Sequence, residues 1–266
     1  MCKQKLTFET RKKLKMNKLI KNVQLTIDYS SLDNRDIYGF YLTNKTTKSR
    51  TKGLPEIGSF VDSYPDFLAL ESEPGLYHKT IETCVCWFKD DSKFDTIDGL
   101  YNSIIYKDIE LLKYYKLRYE NVKYFISVDY STYGDFDEET ILHNIKKSIV
   151  CYLWLTFECD AIVFPLMTYG DESTLEWCFE YILEGSNVAV SLKGVMSNKN
   201  KEMFQKALKV LIDTRKPKCL LVYADSKKES SLEMLSYAIY KGIKIIIVPN
   251  TLMYQNQREG SNGQKY

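Results

Sequence analysis

The chain has 266 residues, 44% of them hydrophobic and 27% charged, which is enough apolar material for a substantial core and too much for wholesale disorder. No apolar run approaches the roughly 20 residues of a bilayer-spanning helix. Met1-Cys2-Lys3-Gln4-Lys5 lacks the apolar stretch of a signal peptide, so a cytoplasmic protein without a membrane partner is expected.

The net charge of +2 averages two unlike parts. Residues 1–56 carry 13 Lys/Arg against 5 Asp/Glu, a balance of +8, and residues 57–266 carry 24 against 30, a balance of −6. The basic arm has one run around Lys12, Lys13 and Lys15 and a second around Lys48, Arg50 and Lys52. Such runs hold phosphates by counterion release, or serve as solvated, solubilising charge. The seven cysteines are scattered through apolar segments, which predicts reduced, buried thiols. Cys84 and Cys86 lack zinc-ligand spacing, and no metal site is predicted from Cys or His.

In chain order, Val23 to Tyr29 and Ile37 to Thr43 read as two strands of a β-hairpin around Ser30-Ser31-Leu32-Asp33-Asn34. From Glu82 onward, short apolar runs alternate with helical patterns. Strands are predicted at 83–88, 124–128, 161–164, 188–191, 219–223 and 243–248. Helices are predicted at 94–119, 138–157, 175–183, 199–214 and 231–240, with Pro217 and Gly242 as stop signals. Six buried, predominantly parallel strands joined by helices define an α/β core, either an open doubly wound sheet or an incomplete barrel. The expected organisation is a basic arm with the hairpin (1–56), the α/β core (57–254) and a mobile polar tail (255–266).

Parallel α/β sheets place ligands at the carboxyl ends of their strands. Those ends read Lys89-Asp90-Asp91, Asp129-Tyr130-Ser131, Pro165 with Thr168, Ser191 with Lys193, Tyr223 with Asp225, and Pro249-Asn250. If neighbouring strands bring Asp90 or Asp91 beside Asp129, the carboxylates can hold Mg²⁺ or raise one pKa for acid-base work. The competing role is helix capping, by Asp91 or Ser92 near Phe94 and by Asp135 or Asp137 near Glu138. His143 with Asn144, followed by Lys146 and Lys147, lies early in the next helix, where a histidine is a candidate general base or a solvated residue. Phosphate-loop, dinucleotide, nucleophile-elbow and zinc-protease motifs are absent from the sequence. Trp154 and Trp177 read as core.

The segment from about Cys84 to Asp225 resembles domain of unknown function 4417, a family of phages and other bacterial mobile elements. The likeness rests on Asp90-Asp91-Ser92-Lys93-Phe94, on Val128-Asp129-Tyr130-Ser131, and on Asn144 with Lys146 and Lys147. It also rests on Gly185-Ser186-Asn187-Val188-Ala189-Val190-Ser191. The second pattern lacks the family's Pro, and Leu192 stands where the family usually has Thr. The resemblance implies a phage-type or plasmid-type accessory protein in a bacterial host, and no established activity.

Two functions are open. In the first, the protein binds nucleic acid or an acidic host protein through its basic segment, with Lys12, Lys13, Lys15, Lys48, Arg50 and Lys52 as contacts. The alternative is an enzyme acting on a nucleotide or nucleic acid. Asp129, Ser131 and His143 would then be catalytic, with Asp90, Asp91, Asn144, Ser191 and Tyr223 lining the pocket. No cofactor is identified, and Mg²⁺ enters only if the carboxylates converge.

Overall fold

A computed structural model describes residues 19–33, 35–78, 82–195, 198–224 and 228–248. Among the described residues, seven parallel strands form two sheets. The first runs in the order β1 (Phe67–Leu70), β2 (Thr83–Cys86), β3 (Tyr124–Ile126) and β4 (Ile162–Phe164). The second runs β5 (Val188–Ser191), β6 (Cys219–Tyr223), β7 (Lys244–Val248). Ala189 N–H donates to the Pro165 carbonyl (2.7 Å) and Met167 N–H to the Ala189 carbonyl (2.9 Å), so a parallel bridge joins the sheets. The described helices longer than four residues are α1 (Leu100–Ile105), α2 (Ile109–Arg118), α3 (Glu138–Cys159), α4 (Asn198–Arg215), α5 (Lys228–Met234) and α6 (Ser236–Tyr240).

Spatial order follows chain order through all seven strands. Right-handed crossovers repeated in one direction put the helices on one face of a sheet and let the other face close on itself. Alternation along the strands sorts the side chains accordingly. Val85, Phe125, Val163, Val190 and Val222 enter the large core that also holds helix residues such as Ile149, Trp154 and Leu208. Leu68, Cys84, Cys86, Phe88, Tyr124, Ile126, Phe164, Leu221 and Tyr223 form a separate inner cluster. The rings of Phe88 and Tyr223 lie 4.6 Å apart. They stand at the ends of β2 and β6, strands four positions apart, which a flat sheet would separate by about 19 Å at its usual spacing. The sheet is therefore strongly curled. Among the described residues β1 and β7 form no ladder, so it is not a closed barrel.

The structure corrects several expectations. The described strands number seven, because Phe67–Leu70, only four residues long, precedes the alternation that signals the others. The hairpin does not form, since neither 23–29 nor 37–43 is a strand. Side chains take the donors a ladder would need: the Glu158 carboxylate accepts from Thr26 and Ile27 N–H, and Asp36 from Tyr38, Phe40 and Tyr41 N–H. Gly39, at φ 70°, instead starts a helical turn at Phe40–Thr43. The 94–119 segment is two helices interrupted at Lys107, whose φ is 53°. No α-helix forms over 175–183, where a 3₁₀ turn (Glu172–Glu176) leads into Trp177, Cys178, Phe179, Tyr181 and Ile182. All five are buried, and one stripe of an amphipathic helix cannot bury so dense a run. The 231–240 helix is divided between α5 and α6. The tail at 255–266 lies outside the described residues.

Glu158, whose side chain is fully buried, ties the N-terminal segment to α3. Besides the two backbone N–H groups it pairs with Lys116 Nζ at 2.8 Å, while Trp154 Nε1 donates to the Tyr29 hydroxyl at 2.9 Å. Removing the carboxylate strands both backbone donors and the ammonium. Glu158→Ala is expected to lower urea-unfolding stability by about 3–5 kcal/mol. Lys206→Ala, which breaks only the exposed pair with Glu172, should leave the midpoint in place.

Candidate functional site

The loops after β2 and β3 are cross-tied. Asp91 opens a short 3₁₀ turn, Asp91–Lys93, and its carboxylate accepts from Ser131 N–H (3.0 Å) and the Ser131 hydroxyl (2.9 Å). Asn144, on α3, donates to the Ser131 carbonyl at 2.6 Å. The Ser148 hydroxyl, one turn further along, donates to the Val128 carbonyl at 2.7 Å. Asp137 caps α3 through Thr140 N–H (2.8 Å), as its sequence position suggested. Lys147 pairs with Asp95 and lies over the ring of Tyr130 at 4.1 Å, which pins the residue between Asp129 and Ser131. Asp129 thus sits in a backbone held from both sides.

Half-buried Asp129 loses much of its hydration, and that loss, with the negative charge of Asp91 nearby, pushes its pKa up to about 7. The ammonium of Lys193 opposes the rise. Lys193 lies two residues beyond β5 and donates from Nζ to the Phe88 carbonyl, two residues beyond β2, at 2.6 Å. Phe88 and Tyr223, ring against ring, fill the inner face below. The Cys86 thiol is pushed well up by burial, with Asp129 adding to the effect, so it stays a protonated core group. A carboxyl group that titrates near neutrality can give or take a proton at working pH.

Of the sequence candidates, Asp91, Asp129, Ser131 and Asn144 meet at one strand-end cluster. Ser191, at the end of β5, accepts from Lys193 N–H through its hydroxyl at 3.3 Å, and Tyr223 lies buried beneath. Asp90 is exposed at the start of the 3₁₀ turn and makes no side-chain cap there. Exposed His143 stands edge-on to Tyr101 at 6.3 Å, and the charges acting on it are Lys147, Asp95 and Lys146. Partial desolvation and the Lys147 ammonium lower its pKa. The Ser131 hydroxyl, meanwhile, is donated to Asp91. Lys48 donates to the Thr43 carbonyl at 2.6 Å, and Lys52 pairs with Glu138 while lying over the Trp177 ring at 5.3 Å. Arg50 is exposed. Lys12, Lys13, Lys15, Asp225 and the 249–250 strand end lie outside the described residues. Among the described residues, no three His, Cys, Asp or Glu side chains converge to hold a metal ion. The sequence places Lys193 beside a strand end, but its contact with Phe88 depends on the curl of the sheet.

The folded pKa of Asp129 lies above the ordinary 3.8, so between about pH 4 and 7 the folded chain keeps a proton that the unfolded chain has released. Stability attributable to this group therefore falls as pH rises through that window. In ¹³C-detected titrations the Asp129 carboxyl should titrate near pH 7, and Asp91→Asn should move the midpoint down. Asp129→Asn should lessen the fall in urea-unfolding stability between pH 5 and 8, by more than about 1 kcal/mol.

A family model for the domain of unknown function DUF4417 matches residues 49–241. That span takes in the whole strand-end cluster and extends beyond the likeness read from sequence, reaching into the second basic run. Among curated proteins, the chain is 27% identical to the Gene 1 protein of Mycobacterium phage L5 over 110 residues, 41% of this chain and 48% of that protein. It is 26% identical to the Gene 1 protein of Mycobacterium phage D29 over 139 residues, 52% of this chain and 47% of that protein. The chain thus spans about half the length of the curated relatives it matches. No solved structure matches it. With nearly three quarters of its length matched to one family, and with phage proteins as relatives, the chain belongs to the DUF4417 family.

Proposed function

We propose that this phage-associated protein is an enzyme acting on a nucleotide or nucleic acid, with Asp129 as the proton-transfer group. The observation that carries the reading is the convergence of the Asp91 and Asp129 charges, from the ends of adjacent strands, with the Lys193 ammonium opposite. Helix capping does not account for these carboxylates. Asp91 is spent on Ser131, and α3 is capped by Asp137 instead. In this reading Asp91, Ser131 and Asn144 position the loop that carries Asp129, and His143 is a neighbour of the Asp95–Lys147 pair without a part in proton transfer. The basic segment has a lesser role. Lys48 and Lys52 already have partners within the fold, which lowers their value as contacts for a separate polyanion.

The test is a turnover screen of the full chain on mononucleotides and on single- and double-stranded oligonucleotides, with Asp129→Asn in parallel and folding verified for both. Turnover by the wild type, a pH profile with an inflection near 7, and a loss of about 100-fold or more in Asp129→Asn would support the proposal. Equal rates in the variant would overturn the role of Asp129, and no turnover across the panel would overturn the substrate class. The competing binding reading would gain if deletion of residues 1–21 abolished DNA binding while Asp129→Ala left it intact.

A further inference from the structure

The side chain of Lys193 crosses the mouth of the curled sheet. Lys193 leaves the end of β5, passes over the inner cluster and donates to the Phe88 carbonyl at the end of β2, although β3 and β4 lie between those strands. The acceptor is a neutral main-chain carbonyl, the ammonium has two further N–H donors, and the residue remains exposed to solvent. Its charge also acts on Asp129 and Cys86, so the ammonium lies within electrostatic reach of both.

A lysine in this setting is a replaceable latch. The bond to Phe88 is charge-assisted on the donor side alone, whereas an anionic oxygen adds the attraction of opposite charges, so an oxyanion entering the mouth outcompetes Phe88 for the ammonium. The same oxyanion would lie beside a carboxyl group able to hold a proton, and a protonated Asp129 does not repel it. We propose that Lys193 is the substrate-anchoring residue of the strand-end site and binds a phosphate oxygen of the substrate in exchange for the Phe88 carbonyl. This rests on the acid-base reading above and deepens it. It places the phosphate at the β5 end of the mouth and the proton-transfer group at the β3 end. The phosphate can belong to a mononucleotide or to a nucleic-acid backbone, since the recognition chemistry is shared.

Inorganic phosphate is the first probe, added to isotope-labelled full chain while the Phe88 carbonyl and Lys193 Nζ resonances are followed. A saturable shift of both is expected. Lys193→Gln should weaken phosphate binding at least about tenfold, and Lys193→Arg, which keeps the charge, should retain most of it. A mononucleotide and a single-stranded oligonucleotide form the other two arms, and the tighter binder identifies the source of the phosphate. The proposal is overturned if the wild type shows no saturable shift at these two groups, or if folded Lys193→Gln binds phosphate as well as the wild type. Asp129→Asn separates the two readings. It should bind phosphate undiminished even where it abolishes turnover, so failure of the acid-base role and failure of the anchoring role give different results.

Discussion

The structure depends on the one-directional winding of its parallel strands. Each strand follows its predecessor on the same side, so the crossover segments occupy one face and the opposite face curls until its own side chains meet. The meeting of Phe88 and Tyr223 is the visible result. Because the inner face is filled by apolar side chains, polar groups are displaced to the strand ends, where Asp91, Asp129, Ser131, Ser191 and Lys193 gather. The fold thus separates an apolar interior from a charged mouth.

That separation accounts for the electrostatics of Asp129. A carboxylate at the edge of an apolar interior loses hydration, and a second carboxylate nearby disfavours its ionisation further. Lys193 offsets part of this from across the mouth without reversing it. The loops are kept in place by side chains from neighbouring segments. Lys147 lies between Asp95 and the Tyr130 ring, and Asn144 holds the Ser131 carbonyl. A carboxyl group with a raised pKa depends on this kind of support, because small displacements change both its hydration and its neighbours.

The α/β character and six of the strands were legible in the sequence, because a short Val/Ile/Leu/Phe run between helical patterns has few alternatives. Helix α3 was readable for a similar reason, with Asp137 as its cap and twenty-two residues of sustained pattern. The N-terminal segment was misread because alternation alone does not reveal where backbone donors go. Glu158 is more than a hundred residues from Thr26 and Ile27, yet its carboxylate takes their N–H groups and removes the strand they resemble. The run from Trp177 to Ile182 was misread as a helix because its apolar density reflects burial on several sides at once.

By itself the sequence determined the parallel α/β class, Asp135 or Asp137 as the cap of α3, the stops at Pro217 and Gly242, and the fact that carboxylates stand at two successive strand ends. These are local or nearest-neighbour properties, set by periodicity, side-chain hydrogen bonding and the pairing of consecutive strands. Only the tertiary structure decided that Asp91 binds Ser131, that His143 belongs with Asp95 and Lys147, and that Lys193 reaches the end of β2. Each of these turns on the curvature of the sheet or the seating of α3. Both are sums of many packing contacts, which no single segment of the chain encodes.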